Sequence, residues 1–218
     1  MAGEAPIAPD PAPVMGLRLG VPQTFMLDDL EPAVASAFAE ACAALSRAGA
    51  RVTDLPLREF AEYPALSDRG LLVNSEAFAW HEELLARRGN EYDPRVRSRI
   101  EFGRPISAAA YIRLRADRAH WIRRVATQTE GFDALLMPTV AITAPPVAAF
   151  AEDREYFRLN GLILRNTAVI NFLDRCAVTL PIQPPGAAPV GLMVVGEHGG
   201  DRRLLAVARG VEAALGAR

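Results

Sequence analysis

The segment from Leu17 to Leu57 constrains the fold most. LRLGV (Leu17 to Val21) alternates apolar and polar residues, the period of a strand with one face buried. Pro22 and the Asp28–Asp29 pair then mark a loop. Pro32 suits a first helical turn, where its missing N–H would have no partner anyway. Val34, Phe38, Cys42 and Leu45 follow at steps of four, four and three, which places them on one helical face. Gly49 is placed to end that helix, and Arg51 to Leu57 reads as a second strand. A strand, a helix and a strand with short connections make a βαβ unit, so the two strands are expected to be parallel neighbours.

The middle of the chain, residues 60–130, reads as mostly helical. Leu71, Leu72, Ala77, Phe78, Leu84 and Leu85 fit an amphipathic helix, with a break at Asn90 to Pro94. Val96 and Ile100 suit a short helix stopped near Gly103–Pro105. Ser107 is a candidate N-cap for a helix with Tyr111, Leu114, Arg118, Trp121 and Val125 on one face. The last third returns to strands. Phe132 to Met137 is an apolar run that ends at Pro138–Thr139. Asn160 to Phe172 fits a helix. Ala177 to Leu180 and Val190 to Val195 read as strands around a loop rich in proline and glycine. Asp201 is expected to cap a final helix that buries Leu204, Leu205, Ala208, Val211 and Leu215. The expected class is α/β, a mixed β-sheet flanked by helices. Residues 1–15, with Pro6, Pro9, Pro11 and Pro13, read as a proline-rich arm or linker, and residues 16–218 as the folded body.

Composition removes several kinds of chemistry. All 24 basic residues are arginine. A lysine base, a Schiff base and a P-loop lysine are therefore excluded for this chain by itself. Cys42 and Cys176 form no CxxC pair or disulfide framework, which fits a reducing, cytoplasmic setting. No apolar run reaches the ~18 residues needed to span a bilayer, so no membrane partner is expected. His81, His120 and His198 lack metal-ligand spacing. GxSxG, GxGxxG and Walker A motifs are absent, so no metal and no cofactor is expected.

Charge is distributed unevenly. Nine arginines fall between Pro94 and Arg124, opposed there by Glu101 and Asp117 alone. Such a run can hold phosphates or pair with acidic groups of the fold. The slightly acidic chain, at net −2, favours pairing, and nucleic acid is not expected as a partner.

Seven stretches in order resemble the C-terminal half of an amidase-signature enzyme. They are GLRLGVP (Gly16 to Pro22), ALSRAGARVTDLPL (Ala44 to Leu57), YDPRVRSRIEFG (Tyr92 to Gly103), SAAAYIRLRADR (Ser107 to Arg118), FDALLMPT (Phe132 to Thr139), RNTAVINFLDRCAVTLP (Arg165 to Pro181) and PVGLMVVGEHGGDRRLLAVARGVE (Pro189 to Glu212). The resemblance implies a C–N hydrolase fold acting on linear amides through a Ser–Ser–Lys triad, with a Gly/Ser-rich loop as oxyanion donor. Those groups belong to the half upstream of the matched region. This chain has no lysine, no adjacent serine pair and no Gly/Ser-rich signature.

The resemblance therefore implies a lobe that is inactive alone, and no catalytic role passes to any residue here. It implies substrate contacts from Pro138 and Thr139, at the end of a strand, and from Thr167 and Asn171, whose side chains can hydrogen-bond an amide. It also implies a partner, either an N-terminal amidase lobe or further copies of this chain, because a halved sheet exposes edges and apolar surface. A small amide substrate is expected only with that lobe. The alternatives are a binding or structural module descended from an amidase, and a component of a tRNA-dependent amidotransferase complex.

Overall fold

A computed structural model describes residues 9–67 and 71–216. Pro6 and the rest of the first eight residues lie outside them. The chain separates into two compact units. One holds the described residues up to Phe60 and from Gln128 onward, and the other is Ala61–Thr127.

The first unit is built on the βαβ element. β1 (Arg18–Pro22), α1 (Pro32–Arg47) and β2 (Arg51–Leu55) follow in order, and β1 lies parallel to β2 with Leu19 opposite Val52. Helix α1 opens on Pro32 and buries Val34, Ala37, Phe38, Ala41 and Leu45. Gly49 ends it in the left-handed region at φ +94. Its N–H bonds to the Ser46 carbonyl and the Ala50 N–H to the Leu45 carbonyl, both at 3.0 Å. These two bonds satisfy carbonyls that a helix end otherwise strands. β2 stops two residues before the sequence reading, because Pro56 has no N–H and Leu57 turns away at φ +38.

The sheet has five strands in the order β2–β1–β3–β5–β4, with β3 at Ala134–Pro138, β4 at Ala177–Pro181 and β5 at Gly191–Val195. β3 is parallel to β1 but antiparallel to β5, and β4 is antiparallel to β5. All five residues of β3 are buried, as expected of a central strand covered on both faces. The class is α/β with a mixed sheet. Helix α1 and the final helix touch each other and the sheet. The helix from the Asn160 region begins earlier than its pattern suggested, at Asp153, and runs to Phe172.

The final helix (Asp201–Leu215) corrects two expectations. Gly200 holds the cap position and Asp201 is the first helical residue, with no side-chain cap bond. Its carboxylate acts there on the helix dipole instead. Val207 and Gly210 join Leu204, Ala208 and Val211 on the buried face, while Leu205 is 45% exposed. Gly210 is needed for close approach: a Cβ there would lie 2.0 Å from the Ala12 carbonyl oxygen. The described part of the proline-rich segment thus lies against this helix, with the Ala12 N–H on the Ala206 carbonyl at 2.9 Å and Val14 in the core.

The second unit is helical: α2 (Tyr63–Leu66), α3 (Leu71–Arg88), α4 (Pro94–Glu101) and α5 (Ala108–Gln128). The Asp93 carboxylate caps α4 by accepting from the N–H groups of Arg95 at 2.8 Å and Val96 at 3.2 Å. Ser107 accepts from the Ala110 N–H at 3.2 Å, the bond expected of an N-cap. Leu114, Trp121 and Val125 form the buried stripe of α5. Several arginines of the basic run find partners inside this unit. Arg97 pairs with Glu101 at 2.9 Å, and Arg124 grips both carboxylate oxygens of Glu62. Arg104 lies over the Phe78 ring and Arg115 over the Tyr111 ring. The remaining helices α6 (Asp153–Phe172) and α7 (Asp201–Leu215) belong to the first unit.

Candidate functional site

The carboxyl end of β3 is where polar groups converge in the first unit. The strand ends at Pro138, and the Thr139 N–H bonds to the Gly191 carbonyl at 2.8 Å. Below it lies Asn166 of α6, with none of its surface exposed. Its Nδ2 donates to the Pro138 carbonyl at 2.7 Å and to the Met26 carbonyl at 3.1 Å. Its Oδ1 accepts from Arg165 Nε at 3.1 Å. A buried amide must be bonded on both ends, and here the bonds clamp the strand end to the loop before α1. The Arg165 guanidinium stacks over the Phe25 ring at 5.6 Å. Burial pulls its pKa down, against the upward pull of Asp28 and Asp29.

A cavity of about 620 Å³ opens beyond Thr139. Val34, Val140, Ile142, Phe150, Ile163 and Val190 supply apolar wall, and Thr139, Thr143, Thr179 and Gln183 supply its polar side chains. Among the described residues that line it, none is charged. Thr139 and Thr179 face each other with their hydroxyl oxygens 3.2 Å apart. Gly191 leaves room for the two side chains, since a Cβ there would lie 2.7 Å from Thr139 Oγ1 and 2.6 Å from Thr179 Cγ2. The loop after Thr139 is fastened by Glu31, whose carboxylate accepts from the Thr143 N–H at 2.7 Å and hydroxyl at 2.9 Å. Such a site can hold an apolar group and orient it by neutral hydrogen bonds.

A second cavity, of about 200 Å³, lies near Asp133, Arg18 and Arg203. Asp133 is already engaged: it accepts from the Arg18 N–H at 2.8 Å and from the Arg203 guanidinium. That arrangement ties β1 and α7 to the start of β3.

The four residues that the resemblance put forward separate in space. Thr139 lines the large cavity and Pro138 is held directly beneath it. Thr167 bonds back to the Leu164 carbonyl at 3.0 Å, and Asn171 is exposed on α6. Neither is among the lining residues. Asn166, Thr179 and Gly191 are additional to that set. Asn166 carried a readable signal: it lies four residues from Leu162 and Ile170 and three from Val169, on the apolar face of its helix.

Two of the three histidines are engaged elsewhere. His81 Nδ1 bonds the Tyr92 hydroxyl at 2.8 Å, and His198 Nδ1 accompanies the Asp174 carbonyl at 2.8 Å. Among the described residues, no group of three His, Cys, Asp or Glu is placed to hold a metal ion, and no helix is long and apolar enough to cross a membrane. Burial, then Asp54, pushes the Cys42 thiol up to about 11. A thiol raised in the folded state favours folding fully below its unfolded pKa. That contribution is lost as pH rises toward 11. Chemical denaturation at pH 8 and pH 10.5 is expected to show lower stability at the higher pH. Cys42→Ala is expected to reduce the difference without abolishing it, because Cys176, Tyr63 and Tyr111 are raised as well, and an unchanged slope would refute this assignment.

Comparison with known proteins places this geometry. The amidase family profile matches residues 8–205. The chain is 34% identical over 210 residues to the 2-amino-5-chloromuconic acid deaminase of Comamonas testosteroni, covering 96% of this chain and 46% of that protein. It is 26% identical over 215 residues to a glutamyl-tRNA(Gln) amidotransferase polypeptide of Symbiobacterium thermophilum, covering 88% of this chain and 43% of that protein. A crystal structure of an amidase superposes with a TM-score of 0.77 at 28% identity, over 94% of this chain and 47% of that one. The chain thus spans slightly under half the length of these relatives. With a profile that runs from before β1 into α7, and the same fold in a solved amidase, the chain belongs to the amidase family.

Proposed function

We propose that this chain supplies the C-terminal half of an amidase-family hydrolase that cleaves the C–N bond of a linear carboxamide. In this reading the cavity beyond β3 is one wall of the substrate site. The observation that carries it is the Thr139–Thr179 hydroxyl pair, set in an apolar cavity at the carboxyl end of a central strand. Binding sites in open α/β sheets favour strand ends of this kind.

The work of these residues is recognition and support. Thr139 contacts the substrate, and Pro138 fixes the position of Thr139 through its bond to Asn166. Thr167 and Asn171, put forward for substrate contact, lie on the helix that carries Asn166 but outside the lining of this wall. The nucleophile and base come from a Ser–Ser–Lys segment outside these residues, because the chain has no lysine to serve as base. The partner is the lobe that carries that segment.

The test is an assay of the purified chain with simple carboxamides and a reactive fluorophosphonate. No turnover and no labelled serine are expected from the chain alone. Hydrolysis is expected when a lobe carrying the Ser–Ser–Lys segment is added. Turnover by the chain alone, or no hydrolysis after a stable complex has formed, would overturn the reading.

A further inference from the structure

We propose that the Thr139–Thr179 pair is the anchor for an uncharged amide group, and that its cavity selects a neutral, apolar substrate over one bearing a carboxylate. The inference rests on the reading of this cavity as a substrate wall and names the class of substrate it takes.

The argument starts from proton counting. Two hydroxyls carry two protons, and at 3.2 Å one of them bridges the two oxygens. The pair is left with one O–H to donate and with lone pairs to accept. A carboxamide presents the matching set, a carbonyl that accepts and an N–H that donates. A carboxylate only accepts, so it engages half of the pair. It also brings a full charge into a place whose described lining holds no cation. The nearby Glu31 carboxylate has the same sign, and the N–H and hydroxyl of Thr143 are already bonded to it. The contact between the two threonines is open to solvent, so the discrimination comes from the unmatched O–H and from the like charge of Glu31 rather than from burial. The remaining wall, formed by residues such as Ile142, Phe150 and Ile163, rewards an apolar chain or ring. Gly191 completes the arrangement, because a Cβ there would collide with the Thr139 hydroxyl and the Thr179 methyl group. This substrate class differs from the acid for which the Comamonas testosteroni relative is named.

The experiment is an amide-resolved NMR titration of the purified chain with phenylacetamide and, separately, with phenylacetate. The two ligands match in shape and differ in charge. Phenylacetamide is expected to shift the resonances of Thr139, Thr179 and Gly191. Phenylacetate is expected to bind at least roughly tenfold more weakly at those residues. Thr139→Val keeps the shape and removes a hydroxyl, and is expected to weaken phenylacetamide about tenfold. Thr139→Ser is expected to restore most of the affinity, and unchanged dispersion of the remaining resonances confirms that each variant is folded. Equal or tighter binding of phenylacetate, parental affinity in Thr139→Val, or no shift at the three residues up to the solubility limit would each overturn the proposal. Failure here leaves hydrolysis by the reconstituted enzyme to decide the catalytic reading. Conversely, selective binding of the amide without reconstituted hydrolysis overturns the catalytic reading alone.

Discussion

Replacement of Asn166 by leucine is expected to lower stability by about 2–4 kcal/mol, since buried carbonyls and a guanidinium N–H lose their bonds together. In a chain of this size that corresponds to a melting temperature about 5–15 °C lower. The side chain has no exposed surface, and it joins Pro138, Met26 and Arg165 in one network. Leucine has the same branched heavy-atom skeleton but bonds none of them. The loss should be local as well as global. Hydrogen exchange is expected to speed up first at Met26 and around Thr139, at the two ends of the clamp. Thermal melts and exchange rates check this. A Leu variant as stable as the parent would show that the carbonyls find other donors and that the clamp is dispensable.

Trp121→Ala is expected to cost about 3–5 kcal/mol, the range for removing a large, fully buried aromatic side chain. Trp121 is 1% exposed, and its ring centroid lies 6.5 Å from that of Tyr63. Both residues belong to the helical unit Ala61–Thr127. The damage is expected to concentrate there, with amide protection lost across α3, α4 and α5 while the sheet strands stay protected. Exchange monitored by mass spectrometry separates the outcomes. Equal loss in both units would mean that residues 61–127 are not a cooperative unit of their own.

What was legible in the sequence divides by the range of the interaction. The βαβ unit could be read because its signals are local: alternation in LRLGV, a stripe from Val34 to Leu45, and a glycine at position 49. The capping roles of Pro32, Ser107 and Gly49 were legible for the same reason. The strand end at Pro138–Thr139 was also visible, as an apolar run stopped by a proline. Thr179 and Gly191 were not, because their nearness to Thr139 depends on the antiparallel pairing of β3, β5 and β4. No local pattern encodes that pairing. The start of α6 was missed because Asp153 to Leu159 is largely polar and exposed, so its helical period carries little apolar signal.

The change of strand direction on either side of β3 has a consequence for anyone hoping to move the proposed recognition surface. Thr139 follows one strand, Thr179 lies within another 40 residues away, and Gly191 opens a third. No continuous peptide contains them, so a loop graft would transplant fragments of the surface and none of its chemistry. Altering the threonine pair in place needs only single substitutions, whereas exporting it to another scaffold would mean carrying three strands with their alignment intact.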